Sequence, residues 1–356
     1  MRLIRTCIPL TAALCCWAGA SAQIGGRHVY DFLNLATSAR IVALGGMNVS
    51  LMDEDAQFGV MNPALVNPMM SGRLGLSFSG HLAGIRYGYA SYSRTWEGIG
   101  SFHSGVQYLN SGVMQGADEF GNLTGEFSAN EWAWTTGISR AWRGFRYGAN
   151  VKLIQSSLAP GFTSWGAGLD LGAAYRGPDS LFSAGLVLRN LGTQLSAYVP
   201  GGDREPLPFE IVAGVSNKLR YMPLRFSITA TNLEHPVLRY IDRNAPPELD
   251  LNGEPIRQPS PVPDLIFRHF VFGGEFLLGD FLRLRGGYNH LRRQELRSAN
   301  RGGMTGFSLG LGIRGSRFAF DYGFASYGIG NGFQAHQVSL QLALQSGARR
   351  QPPPAE

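Results

Sequence analysis

The chain has 356 residues, 44% hydrophobic and only 16% charged, with 48 glycines and a formal charge of +6. That charge is too mild to argue for nucleic acid, and no segment after the leader offers ~20 uncharged apolar residues, so transmembrane helices are excluded. The several amphipathic helices of a soluble globular protein of this length are missing as well.

Residues 1–22 read as a secretory signal peptide. Arg2 and Arg5 supply the charged start, an apolar run reaches Trp17, and Ala20-Ser21-Ala22 offers small residues for cleavage. The run is too short for a membrane anchor, and Cys15-Cys16 lack the small residue that precedes a lipoprotein cysteine. All three cysteines lie in this leader, so the exported chain is expected to have no thiol, disulfide or cysteine metal site. It then carries 29 basic against 25 acidic residues, a charge of +4.

Residues 23–72 read as a plug, or hatch. Asp53 is a plausible helix N-cap, with Glu54 and Asp55 in a first turn where negative charge suits the helix dipole. Asn62 tolerates the left-handed conformation that ends helices, and Pro63 cannot continue one. Gly45-Gly46 stands at the front and Asn62-Pro63-Ala64-Leu65 at the back. This is the one convincing helix expected after the leader.

From 73 to 345 the pattern is period-2 alternation. Leu224, Phe226, Ile228 and Ala230 alternate with Arg225, Ser227, Thr229 and Thr231, and Tyr147, Ala149, Val151 and Leu153 with Gly148, Asn150 and Lys152. Phe318, Phe320, Tyr322 and Phe324 alternate likewise with Arg317, Asp321 and Gly323. Fourteen such runs are counted, near 74–81, 86–94, 99–108, 131–141, 145–155, 164–175, 181–190, 209–219, 223–232, 268–277, 281–289, 304–314, 317–326 and 335–344. One apolar and one polar face is the signature of an all-β, antiparallel transmembrane barrel of fourteen strands, lipid outside and lumen inside. An even count puts both termini on one side. Short spacers such as 95–98, 142–144 and 315–316 alternate with longer ones such as 109–130, 191–208, 233–267 and 290–303, and the short ones are expected to be periplasmic. A soluble sandwich or propeller also alternates, but so many aromatics on one face would leave it sticky. A polar tail, 346–356, closes the chain.

No catalytic constellation stands out. Gly306-Phe307-Ser308-Leu309-Gly310 matches the nucleophile elbow, and residues 310–315 match a dinucleotide fingerprint, yet both fall inside alternating strands with no helix or βαβ unit around them. The seven histidines have no metal spacing. The chain is therefore expected to be non-enzymatic, without cofactor or metal. Two loops invite partners. One carries Pro246, Pro247, Pro255, Pro259, Pro261 and Pro263, which make it stiff and extended: a docking surface, or an ordinary surface loop. The other carries Arg292, Arg293, Arg297 and Arg301, suited to an anionic partner such as lipopolysaccharide, or simply a solvated charged loop.

Asn62-Pro63-Ala64 resembles the hatch signature of the FadL-like outer-membrane proteins. Together with Phe32-Leu33-Asn34-Leu35, Ser38-Ala39-Arg40, Ala43-Leu44-Gly45-Gly46 and Asn190-Leu191-Gly192, it is similar to the PorV/PorQ group of the type IX secretion system. Departures are Ala36 where proline is expected, Leu65 where PorV-type sequences have glycine, and an end without a terminal aromatic. The resemblance implies a non-enzymatic barrel of the attachment complex, integral to a bacterial outer membrane. It would anchor a PorZ-like surface protein beside a PorU-like sortase and a PorV-like barrel, in contact with membrane lipid and lipopolysaccharide. The alternative within the same fold is a FadL-like transporter of hydrophobic small molecules. An apolar lumen pocket would mark the transporter; a sealed hatch with apolar patches on the loops would mark the anchor. The inward faces read as Arg, Asn, Asp, Gln, Ser and Gly, which disfavours a fatty pocket.

Overall fold

The computed structural model describes residues 28–80, 84–238, 262–296, 303–327 and 334–344. The signal peptide, the tail 346–356, Pro246, Pro247, Pro255, Pro259, Pro261, Arg297 and Arg301 lie outside these residues.

The strands are β1 (Arg73–Gly80), β2 (Arg86–Trp96), β3 (Gly100–Asn110), β4 (Met114–Ala117), β5 (Leu123–Phe127), β6 (Asn130–Trp142), β7 (Phe145–Ala159) and β8 (Phe162–Arg176). They continue with β9 (Phe182–Ser196), β10 (Glu210–Lys218), β11 (Leu224–Ala230), β12 (Phe270–Leu278), β13 (Leu282–Asn289), β14 (Phe307–Arg314), β15 (Phe318–Ser326) and β16 (Gln334–Ala343). Fourteen close an antiparallel barrel, with β1 paired to β16; β4 and β5 form a separate hairpin between β3 and β6. Each of the fourteen alternating runs is one barrel strand. The hairpin was not foreseen, because Met114–Phe127 is rich in glycine and turn residues and buries no face.

The alternation has the expected cause. Ile228 is 41% exposed and its neighbour Thr229 1%; Val151 is 59% exposed and Lys152 1%. In water such a band of exposed apolar side chains would aggregate, whereas in acyl chains it is solvated. Near the short turns the outer surface carries Trp142, Phe145, Tyr221, Phe281 and Phe318, all exposed, as an interfacial girdle. β2 is the exception in facing: Tyr87 and Tyr89 point inward and are buried.

Inside runs the hatch, residues 28–72. Tyr30 sits at the end bearing the long loops, its hydroxyl 2.5 Å from Ser164 Oγ just after the β7–β8 turn. Gly72 lies at the short-turn end, its amide donating to the Ser93 carbonyl. The hatch thus crosses the lumen from the outer to the periplasmic end before the first strand begins.

The expected single helix is not there. The hatch folds as one five-residue α-helix, Ala39–Ala43, and a series of 3₁₀ turns at Asp31–Asn34, Ala56–Val60, Pro63–Leu65 and Pro68–Met70. Asp55, not Asp53, caps the turn Ala56–Val60, accepting from Gln57 N at 3.1 Å. Asn62 is extended (φ −151°) and opens the next turn instead of closing a helix. With Asp55 as the cap and Asn62 held extended before Pro63, only residues 56–61 remain between them, too few for a longer helix. Short helices also occur at Val262–Phe267 and His290–Glu295, after β11 and β13.

Candidate functional site

The Asn-Pro turns are built identically. Asn62 Oδ1 accepts from Ala64 N at 3.0 Å and Asn67 Oδ1 from Met69 N at 2.9 Å. Their amides reach elsewhere in the hatch: Asn62 Nδ2 donates to Val49 O at 3.0 Å, Asn67 Nδ2 to Asp53 O at 2.7 Å. The first turn presses on the wall where β7 and β8 carry glycine. A Cβ at Gly148 would lie 2.7 Å from the Pro63 carbonyl carbon, and one at Gly172 3.1 Å from Pro63 Cδ. At the front, Gly45 and Gly46 both take positive φ (100° and 98°), which a side chain would resist.

Above this lies a buried ion-pair network. Arg40 reaches Asp53 (2.6 Å), Asp55 (3.3 Å) and Glu275 of β12 (2.9 Å). Arg225 of β11 bridges Asp53 at 3.3 Å and also pairs with Glu275. Arg285 of β13 joins Glu275 (2.8 Å) to Asp321 of β15 (2.6 Å), and Arg314 completes Asp321 at 2.8 Å. Four arginines thus meet four carboxylates, so no charge is stranded in a low-dielectric lumen. Burial alone would lower the Arg40 guanidinium, but Asp53 and Glu275 hold it above its ordinary value. Burial likewise acts to raise Asp53, yet Arg40 and Arg225 hold it well below the usual carboxylate range. Asp55 is pushed up by its burial, Arg40 notwithstanding.

Further bonds tie the hatch to the same half of the barrel. Ala39 N donates to Ser339 Oγ of β16 (2.8 Å), Ser308 Oγ of β14 to Ala43 O (3.1 Å), and Gln337 Nε2 of β16 to Ala36 O (3.2 Å). Arg189 of β9, paired with Glu210 at 2.9 Å, donates to Leu33 O at 3.1 Å. Lys152 and Asp170 pair at 2.8 Å within the wall. The opposite side differs. Among the described residues, β2, β3 and β6 give residues 28–70 no hydrogen bond or ion pair; the bonds they do give, at Ser71 and Gly72, lie at the rim.

Under the outer mouth the lumen carries an aliphatic patch, set among the polar inward residues Gln107, Glu131, Ser156 and Ser164. Leu109 of β3, Ala133 of β6, Ile154 of β7 and Leu207 of the β9–β10 loop surround Tyr30, Phe32 and Leu33 of the hatch. The inward residues disfavour a fatty pocket, yet the outer ends of three neighbouring strands turn aliphatic residues inward.

Of the residues singled out by sequence, Asp53 and Asp55 enter the ion-pair network, while Glu54 turns outward to Arg73 Nη2 (2.5 Å). Asn62, Pro63, Ala64 and Leu65 are fully buried in the lumen. Pro263 opens the exposed helix Val262–Phe267, whose Asp264 accepts from Arg268 Nε and meets His290 Nε2, each at 2.9 Å. Arg292 stacks its guanidinium 4.4 Å over the Tyr327 ring, and Arg293 donates to Gly303 O and Thr305 O. Arg40, Glu275, Arg285 and Glu210 were missed as a site. Their signal was lone charges of both signs at inward positions. Among the described residues no group of three or more His, Cys, Asp or Glu is placed to hold a metal ion.

A closed fourteen-stranded barrel with an apolar exterior, a charged lumen and an N-terminal hatch is an integral outer-membrane barrel. No protein-family model matches the sequence, and no curated protein matches it. Among solved structures it is similar to the CymD monoaromatic hydrocarbon channel, at 15% identity over 87% of this chain and 97% of that one, TM-score 0.47. It is similar as well to a deltaS2 mutant of the TodX monoaromatic hydrocarbon channel (13%, 86% and 97%, TM-score 0.48). A FadL homologue of Pseudomonas aeruginosa gives 12%, 87% and 98%, TM-score 0.49. Nothing in these comparisons supports the narrower likeness to the PorV/PorQ group, and the class stated here rests on the wall and lumen themselves.

Proposed function

We propose that the protein is a gated passage for small hydrophobic molecules across the outer membrane, a FadL-like transporter with the hatch as its gate. One observation carries this reading: the aliphatic recess of Leu109, Ala133, Ile154 and Leu207, where the hatch lays Tyr30, Phe32 and Leu33 as a hydrophobic molecule would lie. In the closed form the wall has no gap there, β3 being paired to β6 from Ser101 to Asn110, so passage requires the hatch to move. The test is uptake of a radiolabelled monoaromatic hydrocarbon and of a medium-chain fatty acid by cells with and without the protein. Faster uptake, slowed by filling the recess with Ala133→Trp, is expected. Equal uptake in both strains defeats the reading.

A second reading, anchorage of a surface partner in a type IX attachment complex, is favoured by a different observation. The β4–β5 hairpin stands apart from the barrel wall and exposes Val113, Phe120 and Leu123. In this reading a PorZ-like protein docks there, beside a PorU-like sortase and a PorV-like barrel. Purification from outer membranes, with the hairpin intact and with Phe120→Ser and Leu123→Ser, tests it: a surface protein retained equally by both argues against docking at the hairpin.

A further inference from the structure

The side of the lumen that does not bond the hatch has an internal order of its own. Ser93, His103, Gly137 and Asn150 face one another across β2, β3, β6 and β7, and Gly105, Thr135 and Lys152 form the next row toward the outer end. Two rows further on stand Leu109 and, in the row between, Ala133 and Ile154 of the apolar recess. Ser93 Oγ, His103 Nδ1 and Thr135 Oγ1 are buried with no protein partner among the described residues. Leaving buried hydroxyls and ring nitrogens unpaired costs about 1–3 kcal/mol each, so exposure of this row to water relieves them. Against this row the hatch presents the turn Ala56–Val60, so tightly that a Cβ on Gly59 would lie 2.7 Å from His103 Cγ. Among the described residues of this row Asn150, at its edge, holds that turn, donating Nδ2 to Gly59 O at 3.0 Å, and Arg146 of β7 holds the next, donating Nε to Ala64 O at 3.3 Å.

We infer that the hatch opens on one side only. It stays fixed to β12–β16 through Arg40, Ala39 and Ala43 and parts from β2, β3 and β6, opening a lane from the apolar recess past Thr135 and His103 to Ser93 at the periplasmic rim. Asn150 is the latch of this lane. The inference deepens the transport reading and rests on it, since it supplies the route by which a small hydrophobic molecule leaves the recess. The physical reason for the asymmetry is the difference in what must be broken. Detaching the hatch from β11 and β12 breaks the buried Arg40–Glu275 and Arg225–Asp53 ion pairs, while detaching it from β3 breaks no hydrogen bond.

Residues 23–356 contain no cysteine, so in that part of the chain introduced pairs are the sole thiols. Gly59→Cys with His103→Cys bridges the lane, and Ala39→Cys with Ser339→Cys bridges the fixed side, where Ala39 N donates to Ser339 Oγ at 2.8 Å. In the uptake assay the first bridge should cut passage about tenfold, reversibly with reductant, and the second should leave it unchanged. Passage that survives the first bridge, or fails with the second, overturns the inference. If the unmodified protein passes nothing, the transport reading itself falls. The lane is then judged by labelling alone: in the full-length protein Thr135→Cys should react with a small methanethiosulfonate about tenfold faster than Ser339→Cys. Equal rates overturn it.

Discussion

The two sides of this lumen are woven from the same alternating strands, yet they treat the hatch in opposite ways. On β11 to β16 the inward positions include Arg225, Glu275, Ser308, Gln337 and Ser339, which reach the hatch through ion pairs and hydrogen bonds, with Arg285 and Asp321 continuing the network within the wall. On β2, β3 and β6 they are Ser93, His103, Gln107 and Thr135, which lie against it without bonding it. Contact is similar; what differs is the cost of losing it. A plug held by charges on one side and by packing on the other is a plug with a preferred direction of release.

The largest expected effect comes from the charged side. Arg40→Ala leaves buried Asp55 without a cation and takes one partner each from Asp53 and Glu275, which keep Arg225 and Arg285, and should destabilise the seated hatch by about 3–5 kcal/mol. In planar bilayers this should appear as frequent large openings; a variant as silent as the parent protein would mean that the network does not hold the hatch. Next is Asn62→Ala, which removes a cap and the bond to the Val49 carbonyl. About 1–2 kcal/mol should be lost, seen as faster proteolysis after residue 62 in detergent.

Acid gives a smaller, signed test. Asp53 is held below its ordinary value when folded, so the stability it contributes is complete above the unfolded value near 3.9 and drains away as the pH falls through the lowered one. Asp55, raised by burial, works in the opposite sense and is relieved first on acidification. Conductance should therefore stay flat from pH 7 to about 5 and rise only below about 4. Opening already at pH 6 would place control of the hatch elsewhere. The smallest effect sharpens the contrast directly. Ser308→Ala breaks a bond to the Ala43 carbonyl and should cost about 1 kcal/mol, whereas Ser93→Ala removes a hydroxyl with no protein partner and should be neutral within about 0.5 kcal/mol. Matching losses in thermal unfolding would erase the distinction between the two sides.

Much of this was legible before any fold was in view. Strand number, spacing and facing follow from local alternation, because a residue two positions on always points the same way and lipid tolerates no polar face. The turns at Asn62-Pro63 and Asn67-Pro68 were half legible: proline fixes where a segment starts, but capping by Asp55 instead of Asp53, with Asn62 extended before Pro63, left too short a reach for a helix. The apolar recess was hidden, since Leu109, Ala133 and Ile154 are ordinary members of three separate strands.

By itself, then, the sequence determined a wall of fourteen alternating strands and a plug preceding it, for alternation and proline are properties of neighbours along the chain. Tertiary structure alone decided that Arg40 meets Glu275 across 235 positions, and that the hatch is bonded on one side of the lumen and free to part on the other. Such choices depend on which inward residue faces which across a closed barrel. That register is fixed only when the whole circle of hydrogen bonds is made.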